Sequence, residues 1–118
     1  MLQQIDEVTD GLLAVRSTPY GGEVVTVSLR GELDRANVGS AERAIEAVMI
    51  QEGIRLVIDL ADLEFLDCSG VALLWKVGRH PDAESRVRVI PSDFLGVGKI
   101  LSLAAVDSRL RIVKDGGN

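Results

Sequence analysis

The sequence predicts an α/β fold, a single domain in which a mixed, four- to five-stranded β-sheet carries its helices mainly on one face. The second half of the chain alternates strand and helix patterns, which favours parallel strands joined by right-handed crossovers. A turn cluster at residues 19–22 separates two early strand patterns and predicts an antiparallel hairpin, so the sheet is mixed. Two strands have a polar face, whereas helices on both sides would require apolar residues throughout.

The strands are predicted from short runs of apolar residues, most of which alternate with polar ones. The hairpin joins residues 12–16 to residues 25–30. Residues 56–60 form the most apolar run and are therefore predicted to be the central strand. The alternating run at 86–89 predicts a further strand, and residues 110–113 predict a final one.

Three helices are predicted from apolar residues at helical spacing. The first begins within residues 34–40 and ends before Gly53, because glycine commonly follows a helix end. The second cannot continue through Pro81. The candidate N-caps are Asn37 or Ser40 for the first helix and Ser92 or Asp93 for the third.

Composition and charge are those of one globular domain. The chain has 118 residues, 47% hydrophobic and 26% charged, and we predict a single domain over residues 1–118 with a core at about 12–113 and a tail at 114–118. The net charge of −5 offers no electrostatic basis for nucleic-acid binding. No apolar run is long enough to cross a membrane, and the first ten residues lack the pattern of a signal peptide. We therefore expect a cytoplasmic protein with no membrane partner.

The sequence contains few residues suited to catalysis or metal binding. One histidine and one cysteine rule out a multi-histidine metal site and an internal disulfide. Residues 96–99 resemble only a fragment of a phosphate-binding loop, because Ile100 stands where Ser or Thr is needed. Asp59 ends an apolar strand as in phosphate-accepting receiver domains, but the acidic pair that those domains need is missing from the opening hairpin. We expect no catalytic residue, no cofactor and no metal.

The most informative segment is residues 59–71. An apolar strand ends near Leu60, a short acidic connection follows, and a helix is predicted to begin at Asp67. With Asp67 as the N-cap, Leu66 and Val71 form a hydrophobic staple. The three residues after Asp67 fill the first turn, where unpaired backbone N–H groups favour an anion. Capping and close packing alone also explain these residues, so structural and functional interpretations both remain open.

Asp34 occupies the same topological position as Asp67, after a strand and before a helix. If the two strands are parallel, both carboxylates reach the same end of the sheet, together with Asn37. One interpretation is a polar docking rim, and the other is a pair of helix starts with capping acids.

The run Gly-Glu-Leu-Asp at 31–34, followed by a helix, the strand at 56–60 and Phe-Leu-Asp-Cys-Ser-Gly-Val at 65–71, resembles the STAS domains of bacterial anti-sigma factor antagonists. The resemblance spans residues 12–113. It implies a binding module without enzymatic activity, which docks on an anti-sigma factor and so releases a sigma factor for transcription. The anti-sigma factor is often a histidine-kinase-like ATPase that phosphorylates the antagonist at this helix start as a serine kinase, and a phosphatase resets the complex.

The resemblance also implies a partner-binding surface, formed by Asp34, Asn37, Asp67, Cys68, Ser69, Gly70 and Val71. The family's phosphorylated residue usually follows the Asp directly, and here Cys68 stands there. Ser69 is the phosphorylation candidate, about 100° further round the helix. Three alternatives stay open: Ser69 accepts the phosphate, the domain is a non-switched adaptor in a sensory or transport complex, or Cys68 is a redox switch.

Overall fold

A computed structural model describes residues 4–113, in which seven strands form one mixed sheet. The strands are β1 (Asp6–Asp10), β2 (Leu13–Tyr20), β3 (Val24–Leu33), β4 (Arg55–Asp59), β5 (Leu63–Leu66), β6 (Val87–Ile90) and β7 (Arg111–Ile112). Their order is β1-β2-β3-β4-β6-β7, and β5 pairs with β3. The β1–β2 and β2–β3 pairs are antiparallel and all others are parallel. The predicted fold class is therefore confirmed, although the predicted count of four to five strands was too low.

The two strands missing from the prediction are β1 and β5. The side chains of β1 are largely exposed at the sheet edge, so the strand has no apolar alternation to reveal it. The four residues of β5 were interpreted as part of an acidic connection. They pair with residues 31–33 at the far end of β3, whereas β4 pairs with residues 24–28, so β4 and β5 lie end to end along one edge of β3. The register of the β3–β5 pair shifts between Gly31 and Glu32.

Within the described residues four α-helices and a short 3-10 helix (Val106–Ser108) connect the strands, and three of the α-helices match the predicted helices. The α-helices are α1 (Val38–Met49), α2 (Cys68–Gly78), α3 (Ala83–Arg86) and α4 (Leu95–Leu103). The unpredicted α3 is a single turn, which moves the start of the following strand from residue 86 to Val87. The N-cap of α4 is Phe94 rather than Ser92 or Asp93, although the Ser92 hydroxyl accepts a hydrogen bond from the Phe94 N–H at 2.9 Å. The predicted tail at 114–118 lies outside the described residues.

The helices pack against one face of the sheet, as predicted. Along the central strands every second side chain is buried against them, namely Val25, Val27, Leu29, Leu56, Ile58, Val87 and Val89. The opposite face carries polar side chains such as Ser28 and Arg30.

An ion pair links α1 to α2. A hydrogen bond from Lys76 to Glu42, together with the negative charge of Glu42, raises the pKa of Lys76 above its usual value. No helix among residues 4–113 has the length and apolar character needed to span a membrane.

A single arginine closes the carboxyl end of α1. The Arg86 guanidinium donates hydrogen bonds to the carbonyl oxygens of Met49 at 3.1 Å, Gln51 at 2.7 Å and Ile54 at 2.8 Å. The last carbonyls of a helix have no partner within the helix, and a cation there interacts favourably with the helix dipole. Arg86 therefore fixes α1 and the loop that follows it to the start of β6.

We predict that Arg86→Met lowers the free energy of unfolding by about 2–4 kcal/mol, because it leaves several part-buried carbonyls without donors. Arg86→Lys is expected to fall between wild type and Arg86→Met, since an ammonium group cannot reproduce the planar fork. Urea unfolding monitored by circular dichroism measures both. Arg55→Met, at an exposed arginine of β4, is the matched control and should stay within about 0.5 kcal/mol of wild type. Equal losses for the two methionine variants would contradict the assigned role of Arg86.

Candidate functional site

The predicted site residues lie where β3 and β5 lead into the helices. β3 ends at Leu33 and β5 ends at Leu66, and these two residues are paired neighbours in the parallel register. The next residues along the chain are Asp34 and Asp67, so both carboxylates lie past the same edge of the sheet. The site is therefore built at the carboxyl ends of two adjacent parallel strands.

The Asp67 carboxylate joins the two segments. Asp67 is the N-cap of α2, and its Oδ1 accepts hydrogen bonds from the N–H groups of Ser69 at 2.8 Å and Gly70 at 3.4 Å. Its Oδ2 accepts a hydrogen bond from the N–H of Arg35 at 3.2 Å, across 32 residues of sequence. The N–H of Asp67 donates to the Leu33 carbonyl at 3.1 Å. One side chain therefore fixes the start of α2 and the loop before α1 to each other.

The loop before α1 is held from within by Asp34 and Asn37. Asp34 Oδ1 accepts hydrogen bonds from the N–H groups of Ala36 at 2.9 Å and Asn37 at 3.3 Å. The Asn37 amide accepts from the Asp34 N–H at 2.9 Å and donates to the Glu32 carbonyl at 3.0 Å. Asn37 is only 2% exposed, so its side chain shapes the loop and does not face the surface. Asn37 is the N-cap position of α1, but its side chain makes no capping hydrogen bond.

The first turn of α2 presents its residues unequally to solvent. Cys68 is exposed, Ser69 and Val71 are half-buried, and Gly70 is buried. A Cβ atom added at Gly70 would lie 2.9 Å from Leu33 Cδ2, so the absence of a side chain lets α2 approach the end of β3. Within the described chain the Ser69 hydroxyl makes no hydrogen bond. The thiol and the hydroxyl are therefore the groups of this turn available to a partner or a modifying enzyme.

Two further residues adjoin this surface that the sequence did not single out as binding residues. Arg35 is exposed next to the Asp67 contact, and Phe65, on β5, is 46% exposed. β5 does not alternate, because Glu64 and Phe65 are both exposed between the buried Leu63 and Leu66, so periodicity gave no signal for Phe65. Among residues 4–113, no group of three or more His, Cys, Asp or Glu side chains could hold a metal ion. The arrangement suits protein contact: fixed backbone, mixed charge and one exposed aromatic ring.

Comparisons with known proteins agree with this architecture. Residues 17–91 match the family described as "Mlab, STAS domain". The structure is similar to that of an anti-sigma factor antagonist from Mycobacterium paratuberculosis, with 25% identity, a TM-score of 0.72, and coverage of 92% of this chain and 85% of that chain. No match is found among curated proteins.

Two structures of SpoIIAA are also similar. The unphosphorylated form of this anti-sigma factor antagonist is 21% identical with a TM-score of 0.67, covering 86% of this chain and 89% of that chain. The phosphorylated form of the Bacillus protein is 22% identical with a TM-score of 0.61, covering 86% and 92%. At these identities the two likenesses show the fold alone.

We predict that Asp67→Ala lowers the free energy of unfolding by about 1–2 kcal/mol, the usual cost of losing a helix N-cap. Because the same side chain holds the Arg35 amide, hydrogen exchange at Arg35 should accelerate together with exchange at Ser69. Hydrogen-exchange NMR measures both amides. The matched control is Asp93→Ala, an exposed acid just before α4 whose carboxylate makes no hydrogen bond in the described residues. Unchanged exchange at Arg35 in Asp67→Ala would show that the two segments are not coupled.

We predict that two glycine-to-alanine changes in helices alter the free energy of unfolding in opposite directions. Gly70→Ala should destabilise the domain, because the new methyl group meets Leu33 at 2.9 Å and Leu66 at 3.1 Å. Gly98→Ala in α4 has open space around the new Cβ and should stabilise it by about 0.5–1 kcal/mol through helix propensity. Thermal and urea unfolding measure the pair. A gain in stability from Gly70→Ala would show that α2 does not depend on this close contact.

Proposed function

The chain belongs to the STAS domain family, and we propose that it works as an anti-sigma factor antagonist, by binding an anti-sigma factor without catalysing a reaction. The observation that carries the proposal is the Asp67 carboxylate, which joins the helix start to the loop before α1 and so makes one continuous surface. The likeness to the mycobacterial antagonist, across 92% of this chain, supports the same role. In this proposal the protein acts in the cytoplasm, where docking releases a sigma factor for transcription.

We define the docking surface by its exposed and half-buried members: Asp34, Arg35, Phe65, Asp67, Cys68, Ser69 and Val71. The buried residues Asn37 and Gly70 support it from below. Its backbone is already ordered by internal hydrogen bonds, so little conformational entropy is lost when a partner binds. Phe65 offers apolar area, and the two carboxylates and Arg35 offer orientation through charge.

The partner that we propose is an anti-sigma factor of the histidine-kinase-like ATPase class, acting as a serine kinase. Phosphorylation would transfer the γ-phosphoryl group of ATP to Ser69 Oγ and release ADP and a proton. The new group carries about −1.5 to −2 charges and would stand beside the Asp67 carboxylate, so its bulk and charge would eject an acidic or tightly packed partner surface. A phosphatase would restore the binding form by hydrolysing the ester.

The second candidate function is a non-switched adaptor in a sensory or transport complex. The exposed Cys68 favours it, because this thiol stands directly after Asp67, where the family's phosphorylated residue usually lies. In this case partner binding would be independent of kinase activity. A redox-responsive form of the same adaptor would use the Cys68 thiol, and only that form would lose its partner on oxidation.

We predict that wild type captures an ATPase of the kinase class from its native host and that Ser69→Asp does not, because the added carboxylate would disrupt an acidic or tightly packed partner surface as the phosphate does. The measurement is affinity purification with quantitative mass spectrometry, combined with phosphopeptide mapping of Ser69. Ser69→Ala serves as the matched control and should retain capture. Equal capture by wild type and Ser69→Asp would exclude Ser69 as the switch.

Cys68→Ser separates the remaining alternatives. Capture of sensory or transport proteins, unaffected by changes at Ser69, would favour the adaptor. Loss of capture when wild type, but not Cys68→Ser, is treated with peroxide would favour the redox-responsive form.

A further inference from the structure

A groove runs over the open face of the sheet, the face opposite the helices, at the amino ends of β4 and β6. Its volume is about 390 Å³. Two half-buried valines, Val24 and Val57, lie in it together with Arg55, Ser85 and Arg88. None of the described residues that line the groove is acidic. The groove therefore combines apolar surface with positive charge.

The parallel register places three arginines side by side on this face. Val57 of β4 pairs with Arg88 of β6, and Arg88 pairs with Arg111 of β7. Arg55 lies two residues before Val57, so its side chain points to the same face. Positive charges on adjacent strands repel one another. An anion bound between them would offset this repulsion.

Little negative charge within the described chain compensates these arginines. Arg55 is exposed, Arg88 is half-buried, and neither forms an ion pair among residues 4–113. Arg111 has one carboxylate near it, that of the exposed Glu84 at 3.9 Å. Acidic side chains nevertheless outnumber basic ones in the whole sequence, 18 to 13. The groove is therefore a positive site on an acidic protein.

Arg88 is held in position before any ligand binds. Its Nη1 donates hydrogen bonds to the carbonyl oxygens of Glu84 at 2.8 Å and Val87 at 2.9 Å. Its Nε and Nη2 make no hydrogen bond within residues 4–113. A guanidinium group fixed in this way presents its remaining N–H groups as a planar fork, which suits the two oxygens of a carboxylate.

We propose that the groove binds an extended, acidic segment of a partner protein, whose carboxylates pair with Arg55 and Arg88. The Cα atoms of these two arginines are roughly 8 Å apart, one strand spacing sideways and two residues along. Acidic residues two positions apart in an extended segment point to the same side, roughly 7 Å from each other. Their carboxylates can therefore meet both arginines at once. This inference does not depend on the proposed function, because the docking surface lies at the carboxyl ends of β3 and β5.

The apolar part of the groove favours a protein segment over a small anion. An inorganic anion would meet the arginines and leave Val24 and Val57 in contact with water. The side-chain carbons of a peptide would cover these valines and gain the free energy of burying apolar surface. Nucleic acid is disfavoured by the net charge of −5, which repels a phosphate backbone.

The test is a titration of the full, nitrogen-15-labelled chain, followed by NMR, with a synthetic octapeptide that alternates glutamate and threonine. We expect chemical-shift changes at the amides of Val24, Arg55, Val57 and Arg88, with a Kd below about 1 mM. The same peptide with glutamine in place of glutamate should not bind. A weaker affinity, shift changes around Cys68 instead of in the groove, or equal binding of the glutamine peptide overturns the proposal.

Two double variants with the same change in net charge separate the groove from general attraction. Arg55→Gln, Arg88→Gln should weaken binding of the glutamate peptide by about tenfold or more, because hydrogen bonds to charged groups are lost. Arg16→Gln, Arg30→Gln is the matched control, since both arginines are exposed on the same face and Arg30 already pairs with Glu7 at 3.9 Å. The control should bind within about twofold of wild type at physiological salt, where distant charges are screened. Equal weakening by the two double variants contradicts a defined site.

A single variant guards against loss of the fold. The Arg55 side chain makes no hydrogen bond within residues 4–113, so Arg55→Glu leaves the internal contacts intact. It should weaken binding of the glutamate peptide by about tenfold, since it replaces attraction by repulsion. Circular dichroism checks the fold of each variant. Inorganic phosphate is the competing probe, and tighter binding of phosphate than of the peptide in the groove would overturn the assignment to a protein segment.

Discussion

The site depends on a change of partner strand at Gly31. β3 pairs with β4 as far as Ser28, and from Gly31 onward it pairs with β5. The φ angle of Gly31 is 99°, and a Cβ atom would lie 2.1 Å from the Leu12 carbonyl oxygen, so only glycine fits. Because β5 replaces β4 as the partner strand here, it lies beside the end of β3, and Leu66 pairs with Leu33. Without that pairing, Asp67 would not lie within hydrogen-bond distance of the loop before α1.

The pairing of β3 with β5 shapes the surface through two sets of hydrogen bonds. The paired strand ends bring the Asp67 carboxylate to the N–H of Arg35, and the buried Gly70 allows α2 to approach closely enough for this contact to form. Asp34 and Asn37 meanwhile close the loop on itself. Each of these hydrogen bonds restricts the backbone before a partner binds, so less conformational entropy is lost on binding. A small domain can thus present a rigid surface from two segments that are distant in sequence.

The sequence predicted those features that rest on periodicity or on local capping. The one-sided sheet followed from the polar alternation of residues 25–30, and the helix start followed from Asp67 and its neighbours. The strands β1 and β5 were missed, since one is a largely exposed edge strand and the other is four residues long. The burial of Asn37 was equally invisible, because its hydrogen-bond partners are backbone groups placed by the turn. An asparagine in the sequence does not reveal whether its side-chain amide will be buried or exposed.

The packing of α2 also decides how its first turn meets a partner. The buried side of the helix is defined by Gly70, Leu73, Leu74 and Val77. At 100° per residue, Cys68 lies opposite this side of the helix and Ser69 lies on its flank. This position explains why Cys68 is exposed and Ser69 is half-buried. Position 68 is therefore the point of the turn that an approaching surface touches first, whatever side chain stands there. A thiol at that point contributes a small, weakly polar contact, whereas a modified Ser69 would act from the side, through its charge beside Asp67.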